Sequence, residues 1–388
     1  MACEQVTLQD VCELIVDCPH TSTKDEGVGY PLIRTPNVGR GRLILTDVHR
    51  VSQDVYERRV SRAVPRQGDL ILAREAPAGN VAIVPPGIEV CLGQRTMLLR
   101  PDSSFVVPEY LNYYLNAPEQ RDRMLRLANG ATVSHINVAD IRNMPVQLPS
   151  RGEQSKVAEL LNVLDDKIDL NNRLNDYLLE LISSVFAHRF SSNVNTTDLK
   201  NVLSISTKAL KPQEHASEIW EHYSIPAFDE KHRPIFEPAS EIKSNKYQID
   251  NECILISKLN PSTKRIWMPY CSSNNAVCST EFIVYRPYLK EYKSFYYAAI
   301  DSPGFTDYLL EHVSGSTGSR QRAQPKDTLH YLMPNPSNEE IKNFCTFADP
   351  IYRHVQINEQ QTAKLELLRD TLLPKLMSGE IDVSKVDL

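Results

Sequence analysis

Pro149-Ser150-Arg151-Gly152-Glu153 and Pro336-Ser337-Asn338-Glu339-Glu340 share the pattern P-S-x-x-E, and each opens a long run of apolar residues at helical spacing. In such a pattern the serine oxygen accepts from the amide three residues on, and the glutamate reaches back to the serine amide. This capping box starts a helix. After the first box come Val157, Leu161, Leu164, Ile168, Leu174, Leu178, Leu181 and Val185; after the second, Ile341, Phe344, Ala348, Ile351, Val355, Leu365, Leu368 and Leu372. Both patterns lapse midway, near Asn171-Asn172 and near Asn358-Glu359. The two lapses, like the two boxes, are 187 residues apart. The periodicity predicts two helices of nearly forty residues, each roughly 55–60 Å long at about 1.5 Å per residue. Pro350 predicts a kink in the second helix or a later start for it. A narrow apolar stripe on a long helix needs a partner. One ordinary globular core would satisfy both stripes. An antiparallel, coiled-coil-like pair relating two like halves by a pseudo-two-fold axis fits the matched positions better.

Outward from the helices the halves continue to match. Leu8-Gln9-Asp10-Val11 resembles Leu199-Lys200-Asn201-Val202, and Leu70-Ile71-Leu72-Ala73-Arg74 resembles Ile254-Leu255-Ile256-Ser257-Lys258. The loop Asn129-Gly130-Ala131-Thr132-Val133-Ser134-His135 has a counterpart in Ser314-Gly315-Ser316-Thr317-Gly318-Ser319-Arg320. Met144-Pro145 then matches Met333-Pro334. Strand-like runs are Leu43–Leu45, Leu70–Ala73, Val81–Val84, Thr96–Leu99, Ile254–Ser257 and Phe282–Tyr285. Short helices are expected at Pro108–Leu115 and Tyr292–Ile300, and residues 191–197 read as a linker. The predicted class is α+β. Its organisation is a first mixed domain (1–149), a first long helix (150–190), a second mixed domain (191–336) and a second long helix with a tail (337–388).

Composition limits what this architecture does. Of 388 residues, 41% are hydrophobic and 24% charged, an ordinary globular balance that excludes wholesale disorder. The eight cysteines form no C-x-x-C pair and no zinc spacing, so they read as small apolar fillers in a reducing compartment. No apolar run reaches the roughly 18 residues of a membrane span, and Met1-Ala2-Cys3-Glu4 shows no signal peptide; a cytoplasmic location is expected. The formal net charge of −6 argues against a bulk nucleic-acid binder, but the acids are unevenly placed. Residues 19–150 hold 16 Lys/Arg against 13 Asp/Glu, whereas 151–190 hold 5 against 7 and 339–388 hold 6 against 9. A focused basic surface on the mixed domains is compatible with that distribution.

Familiar catalytic signatures are missing. There is no G-x-x-x-x-G-K-[ST] loop and no G-x-G-x-x-G after a strand. Asn260-Pro261-Ser262 and Asn335-Pro336-Ser337 lack the second proline and the aromatic of an amino-methyltransferase loop that grips a flipped base. Glu241-Ile242-Lys243 is too short a match to a nuclease metal site to carry weight. His135 has no obvious Ser–His–acid arrangement. Binding chemistry is left. The first half offers Lys24, Arg34, Thr35, Asn37, Arg40, Arg42, Arg74, Glu75, Gln94, Arg95, Thr132, Ser134 and His135. The second offers Lys258, Asn260, Lys264, Arg265, Ser316, Thr317, Arg320, Gln321 and Arg322. Arg and Gln make bidentate contacts with guanine and adenine edges, and hydroxyls suit phosphates. For any one residue, a surface ion pair or loop hydrogen bond is the competing role; clustering in equivalent loops raises the group.

At these residues a family resemblance becomes specific. Tyr30-Pro31-Leu32-Ile33-Arg34-Thr35-Pro36-Asn37, Gly68–Gly79, Cys91-Leu92-Gly93-Gln94-Arg95, Ala131–Asn137 and the closing stretch Leu367–Ile381 resemble the DNA-specificity (S) subunit of type I restriction–modification systems. With the two-repeat plan, the resemblance covers essentially the whole chain. It implies two target-recognition domains, each reading half of a bipartite asymmetric site in double-stranded DNA. It also implies that the two helices set the spacing and dock two modification subunits through Val157, Leu161, Leu164, Ile168, Leu178, Leu181, Leu365, Leu368 and Leu372. The chain would then be non-catalytic and bind no cofactor. S-adenosylmethionine for adenine methylation, and ATP and Mg for the restriction subunits, would sit on those partners. The second half lacks a Cys-Leu-Gly-Gln-Arg equivalent and reads Ser-Thr-Gly-Ser-Arg in its loop, which implies that the two half-sites differ. The competing class is a self-sufficient nuclease or methyltransferase with an unrecognised active site. A structural protein whose paired domains bind other proteins is a third class.

Overall fold

The computed structural model describes residues 4–128, 135–192, 195–314 and 321–383. Its first half contains β1 (Glu4–Thr7), β2 (Cys12–Asp17), β3 (Tyr30–Ile33), β4 (Gly41–Arg42), β5 (Arg50–Val51), α1 (Gln53–Arg59), β6 (Leu70–Ala73), β7 (Val81–Ile83), β8 (Cys91–Leu92), β9 (Thr96–Pro101), α2 (Pro108–Asn116), α3 (Pro118–Leu127), α4 (Val138–Arg142) and β10 (Pro145–Leu148). Then comes α5 (Arg151–Phe190). The second half contains β11 (Thr196–Asp198), β12 (Leu203–Ser206), β13 (Ala209–Leu210), β14 (Ile219–Tyr223), α6 (Ile225–Lys231), β15 (Ile235–Pro238), β16 (Lys246–Gln248), β17 (Ile254–Ser257), β18 (Ile266–Trp267), β19 (Ala276–Ser279), β20 (Phe282–Pro287), α7 (Lys293–Asp301), α8 (Pro303–Glu311), β21 (Val313–Ser314), β22 (Arg322–Ala323), α9 (Pro325–Thr328) and β23 (Leu332–Pro334). It closes with α10 (Asn338–Met377).

Both capping boxes form. Ser150 N–H donates to Glu153 (2.9 Å) and Glu153 N–H to Ser150 Oγ (3.4 Å). Ser337 and Glu340 repeat the exchange at 2.9 and 3.3 Å. α5 and α10 are each 40 residues long. Since α10 runs unbroken through Pro350, that proline marks no later start.

The chain divides into two compact units, and the division differs from the four segments expected. The first is Met1–Ile168 with Lys364–Leu388; the second is Asp169–Ala363. Each takes part of each long helix, because residues from those parts belong to its core. In the first unit the sheet runs β2-β9-β6-β7-β4, and its central strands β9 and β6 are buried on both faces. Side chains alternate along a strand, so Leu70, Leu72, Met97 and Leu99 face α2 together with Val157, Leu161 and Leu376. Ile71, Ala73 and Leu98 face Ile33, Val84 and Leu92. The second unit repeats the plan with β12-β20-β17-β18. Ile254, Ile256 and Tyr285 join Phe186, Phe190, Phe295 and Phe344, while Leu255 and Val284 face Trp267 and Phe228.

The two long helices pair within each unit, and in the second they run antiparallel. Asp165 pairs with Arg369 (2.8 Å) in the first. In the second, Asn171 meets Gln361 (3.0 Å), Asn175 meets Asn358 (2.8 Å) and Phe186 meets Phe344. Rising numbers on α5 match falling numbers on α10. The result is the α+β class expected, a mixed helix-and-sheet fold in which the two long helices pack together.

Three local expectations change. Leu43–Leu45 is not a strand: Leu43 makes a single bridge to Val38, and Ile44 exchanges hydrogen bonds with Asn37 instead of a neighbouring strand. Thr196 and Thr197, expected in a linker, belong to β11 and pair with β23. Each short helix expected from sequence is followed at once by another, α3 or α8, that begins with proline. Among the described residues no helix is long and apolar enough to cross a membrane.

Candidate nucleic-acid interface

In the first unit, candidates from separate loops converge. Arg74 follows β6, and its guanidinium donates to Ile136 O (2.9 Å) and to Asp17 (2.7 Å). Its backbone N–H donates to Arg95 O, and its carbonyl accepts from Ile136 N–H. Arg95 pairs with Glu75 at 2.8 Å. Gln94 donates to His20 O (2.9 Å), and His20 lies 3.2 Å from Asp17. One cluster therefore joins the β2 end, the β6 end, the β8–β9 turn and the segment carrying His135, which is half-buried.

The turn after β8 shows why the sequence reads Gly-Gln-Arg. A Cβ on Gly93 would lie 2.7 Å from Arg34 Cγ and 2.8 Å from Ile33 O, so β8 approaches β3 this closely only with glycine. Two residues on, Arg95 takes φ +67°, which is uncommon outside glycine. Its N–H then points at Cys18 Sγ (3.1 Å), while burial raises the Cys18 thiol above its ordinary value.

Not every candidate is free to meet a ligand. Thr35 and Asn37 are buried; Thr35 Oγ1 donates to Ala76 O and Asn37 Nδ2 to Ile44 O, both at 3.1 Å. They shape the loop after β3, with Arg34 N–H donating to Asn37 Oδ1 (3.2 Å). Arg42 is paired with Asp166 at 2.6 Å, whereas Arg40 and Lys24 are exposed. Thr132 and Ser134 lie outside the described residues, as do Ser316, Thr317 and Arg320.

The second unit gathers fewer of its candidates. Asn260, at φ +48°, donates its N–H to Gln321 O (2.9 Å), and Lys258 O accepts from Ala323 N–H (2.9 Å). Lys258, Asn260 and Gln321 are thereby neighbours. Arg265 is held by Asp229 through two bonds of 2.6 and 2.9 Å, which keep that carboxyl below its ordinary range. Lys264 bonds Asp301 O at 2.8 Å and pairs with its carboxyl, a group that burial pushes up. Arg322 forks onto Glu281 at 3.1 and 3.3 Å.

The helix residues separate by exposure. Val157, Leu161 and Ile168 are buried in their own units, so they cannot also be a docking surface. Leu164, Leu178, Leu365 and Leu372 are half-buried; Leu181 and Leu368 are exposed. Sequence reading missed Leu170 and Tyr177, which are exposed on α5. It also missed Arg59 and Arg62, which hold the loop carrying His20. The polar run His20-Thr21-Ser22-Thr23-Lys24 between two strands was the available signal. Among the described residues no group of three or more His, Cys, Asp or Glu side chains is placed to hold a metal ion.

Residues 2–180 match the family model of the type I restriction modification DNA specificity domain. The chain is 21% identical over 372 residues to the type I restriction enzyme MjaIX specificity subunit of Methanocaldococcus jannaschii, covering 87% of this chain and 84% of that one. It is 23% identical over 409 residues to the StySPI specificity subunit of Salmonella potsdam, covering 93% and 86%. In fold it resembles the type I S subunit of M. genitalium, with a TM-score of 0.60 at 16% identity over 97% of this chain and 96% of that one.

Proposed function

The chain belongs to the family of DNA-specificity subunits of type I restriction–modification systems, and from that premise we propose that it is the non-catalytic, sequence-reading subunit of such a complex. Each unit reads one half of a bipartite, asymmetric site in double-stranded DNA. The long helices set the distance between the half-sites and dock two modification subunits, which carry S-adenosylmethionine and methylate adenine. Restriction subunits, with ATP and Mg, add cleavage. The assembly works in the cytoplasm.

One observation carries the reading: Arg74, Glu75, Gln94 and Arg95, drawn from loops far apart in sequence, meet beside His20 on one surface of the first unit. Convergence of long polar side chains at the ends of strands is how a mixed domain presents donors to base edges and phosphates. Arg74 is largely committed to Asp17, which leaves Arg95, more than half exposed, as the better base reader. The apolar residues that α5 leaves in solvent support the docking role.

The test is a methylome. The chain is expressed with its modification subunit, and adenine methylation is mapped across the host genome. The same modification subunit paired with another working specificity chain is the control. A new bipartite motif is expected. Methylation with the control chain but none with this one would sink the proposal.

A further inference from the structure

Between β2 and β3 the chain crosses the surface of the first unit without regular structure, yet its start is tightly held. Arg62 reaches the carbonyls of Asp17 and Cys18 (3.3 and 3.5 Å), Gln94 donates to His20 O (2.9 Å), and Arg59 donates to Thr21 O. Arg59 also donates to Thr23 Oγ1 from two nitrogens (2.9 and 2.6 Å) and to Leu92 O (2.8 Å). Its guanidinium thus joins this loop to β8 in a fixed fork. A loop pinned at three successive places is preorganised, and preorganisation lowers the cost of binding.

The charges are equally ordered. Arg59 is only 5% exposed and its hydrogen-bond partners are two carbonyls and a hydroxyl, so a buried positive charge lies behind the loop with no carboxylate bonded to it among the described residues. The nearby acids are occupied. Asp17 holds Arg74 and His20, Asp25 accepts from the Gly27 and Arg50 amides, and Glu26 accepts from the Ser52 amide. By contrast, Thr21, Ser22 and Lys24 have side chains with no hydrogen bond or ion pair to any described residue, and all three are exposed. With its carbonyls tied down, the loop offers two hydroxyls and an ammonium. That set suits an acceptor-only, anionic ligand better than a base edge, which presents donors as well.

We propose that the Cys18–Lys24 loop grips the DNA backbone, with Thr21, Ser22 and Lys24 binding phosphate oxygens and Arg59, Arg62 and Gln94 acting as positioning residues. The proposal rests on the DNA-specificity reading and deepens it. It also gives Gln94 a task besides reading a base: one of its amide N–H groups is held by His20 O.

The test uses the full chain in complex with its modification subunits and two duplexes, one containing the methylated motif and one of unrelated sequence. Binding is measured across a salt series. Ser22→Ala with Lys24→Ala is expected to weaken both duplexes by a similar factor, on the order of tenfold. The slope of log affinity against log salt should fall by about one, the signature of one lost phosphate contact. Gln94→Ala, a milder change than any at Arg59, should abolish the same phosphate positions in an ethylation-interference footprint with an unchanged melting temperature. A structural role alone would not remove selected phosphates. Unchanged affinity and slope in the double variant would overturn the proposal. A loss confined to the motif duplex would overturn it as well, assigning the loop to base reading. If the wild-type complex binds neither duplex, the DNA-specificity reading itself has failed.

Discussion

A single side chain in the second unit ties stability to pH. His222 on β14 has a side chain only 10% exposed, with Nδ1 2.6 Å from Glu237 Oε1 on β15. Its Nε2 is buried with no hydrogen-bond partner among the described residues. Burial lowers its pKa below the ordinary 6.5, outweighing Glu237, which favours the charged ring; Lys246 opposes it. A histidine whose folded pKa is depressed stabilises the fold above the unfolded value and loses that contribution as pH falls through the folded one. Stability is therefore expected to decline as pH drops below about 6.5. His222→Gln, which can still donate to Glu237, should remove that part of the slope. Urea unfolding followed by tryptophan fluorescence measures it in the right unit, since Trp220 and Trp267 both lie there. A wild-type profile as flat as the variant's would dismiss the histidine.

At the scale of the element, the midpoint of the long helices is the informative place. Where the apolar period lapses, the second unit buries Asn171, Asn175, Asn358 and Thr362. Asn358 Nδ2 donates to Asn175 Oδ1 at 2.8 Å, and Asn175 Nδ2 donates to Val355 O at 3.4 Å. Buried amides of this kind fix the register of paired helices at a cost in stability. Asn358→Ala strands the Asn175 carbonyl and should cost about 1–3 kcal/mol. Replacing both asparagines with leucine should recover most of that loss while loosening the register, so the single variant unfolds at a lower urea concentration than the double. Equal midpoints would mean the two amides are not coupled.

The same helices show what a lone sequence reveals. Caps, lengths and the repeat were legible because capping and periodicity are local rules, and strands such as Leu70–Ala73 were legible because both faces are apolar. The strand at Ile219–Tyr223 was not. Its Glu221 and His222 are buried polar residues whose partners, Ser272, Ser273 and Glu237, lie elsewhere in the sequence. The candidate site was legible as residue types but not as roles. Nothing local distinguishes Arg74, which is spent on Asp17, from Arg95, which stays more than half exposed.

For the whole molecule, the question is which apolar residues are surplus to the chain's own folding. Ile168, Asn171, Asn175 and Ile182 turn inward along α5. Beside them Leu170, Leu174, Tyr177 and Leu181 recur at intervals of four, three and four residues and are exposed, Tyr177 by 69%. Single exposed apolar residues are ordinary, but a row at heptad spacing on one helix is a second seam that the described residues of its unit leave partly uncovered. A modification subunit covering this row would bury Tyr177 and Leu181, two exposed side chains one helical turn apart. Tyr177→Glu with Leu181→Glu should leave the fold intact, since neither side chain is buried. The same change would place two charges where a docked partner covers the row, and desolvating them would oppose docking. The expected outcome is a chain with wild-type circular dichroism and melting that no longer co-purifies with its modification subunit. Recovery of the complex in normal amount and stoichiometry would show that docking uses another face of the helices, with the exposed Leu367 and Leu368 on α10 as the next residues to test.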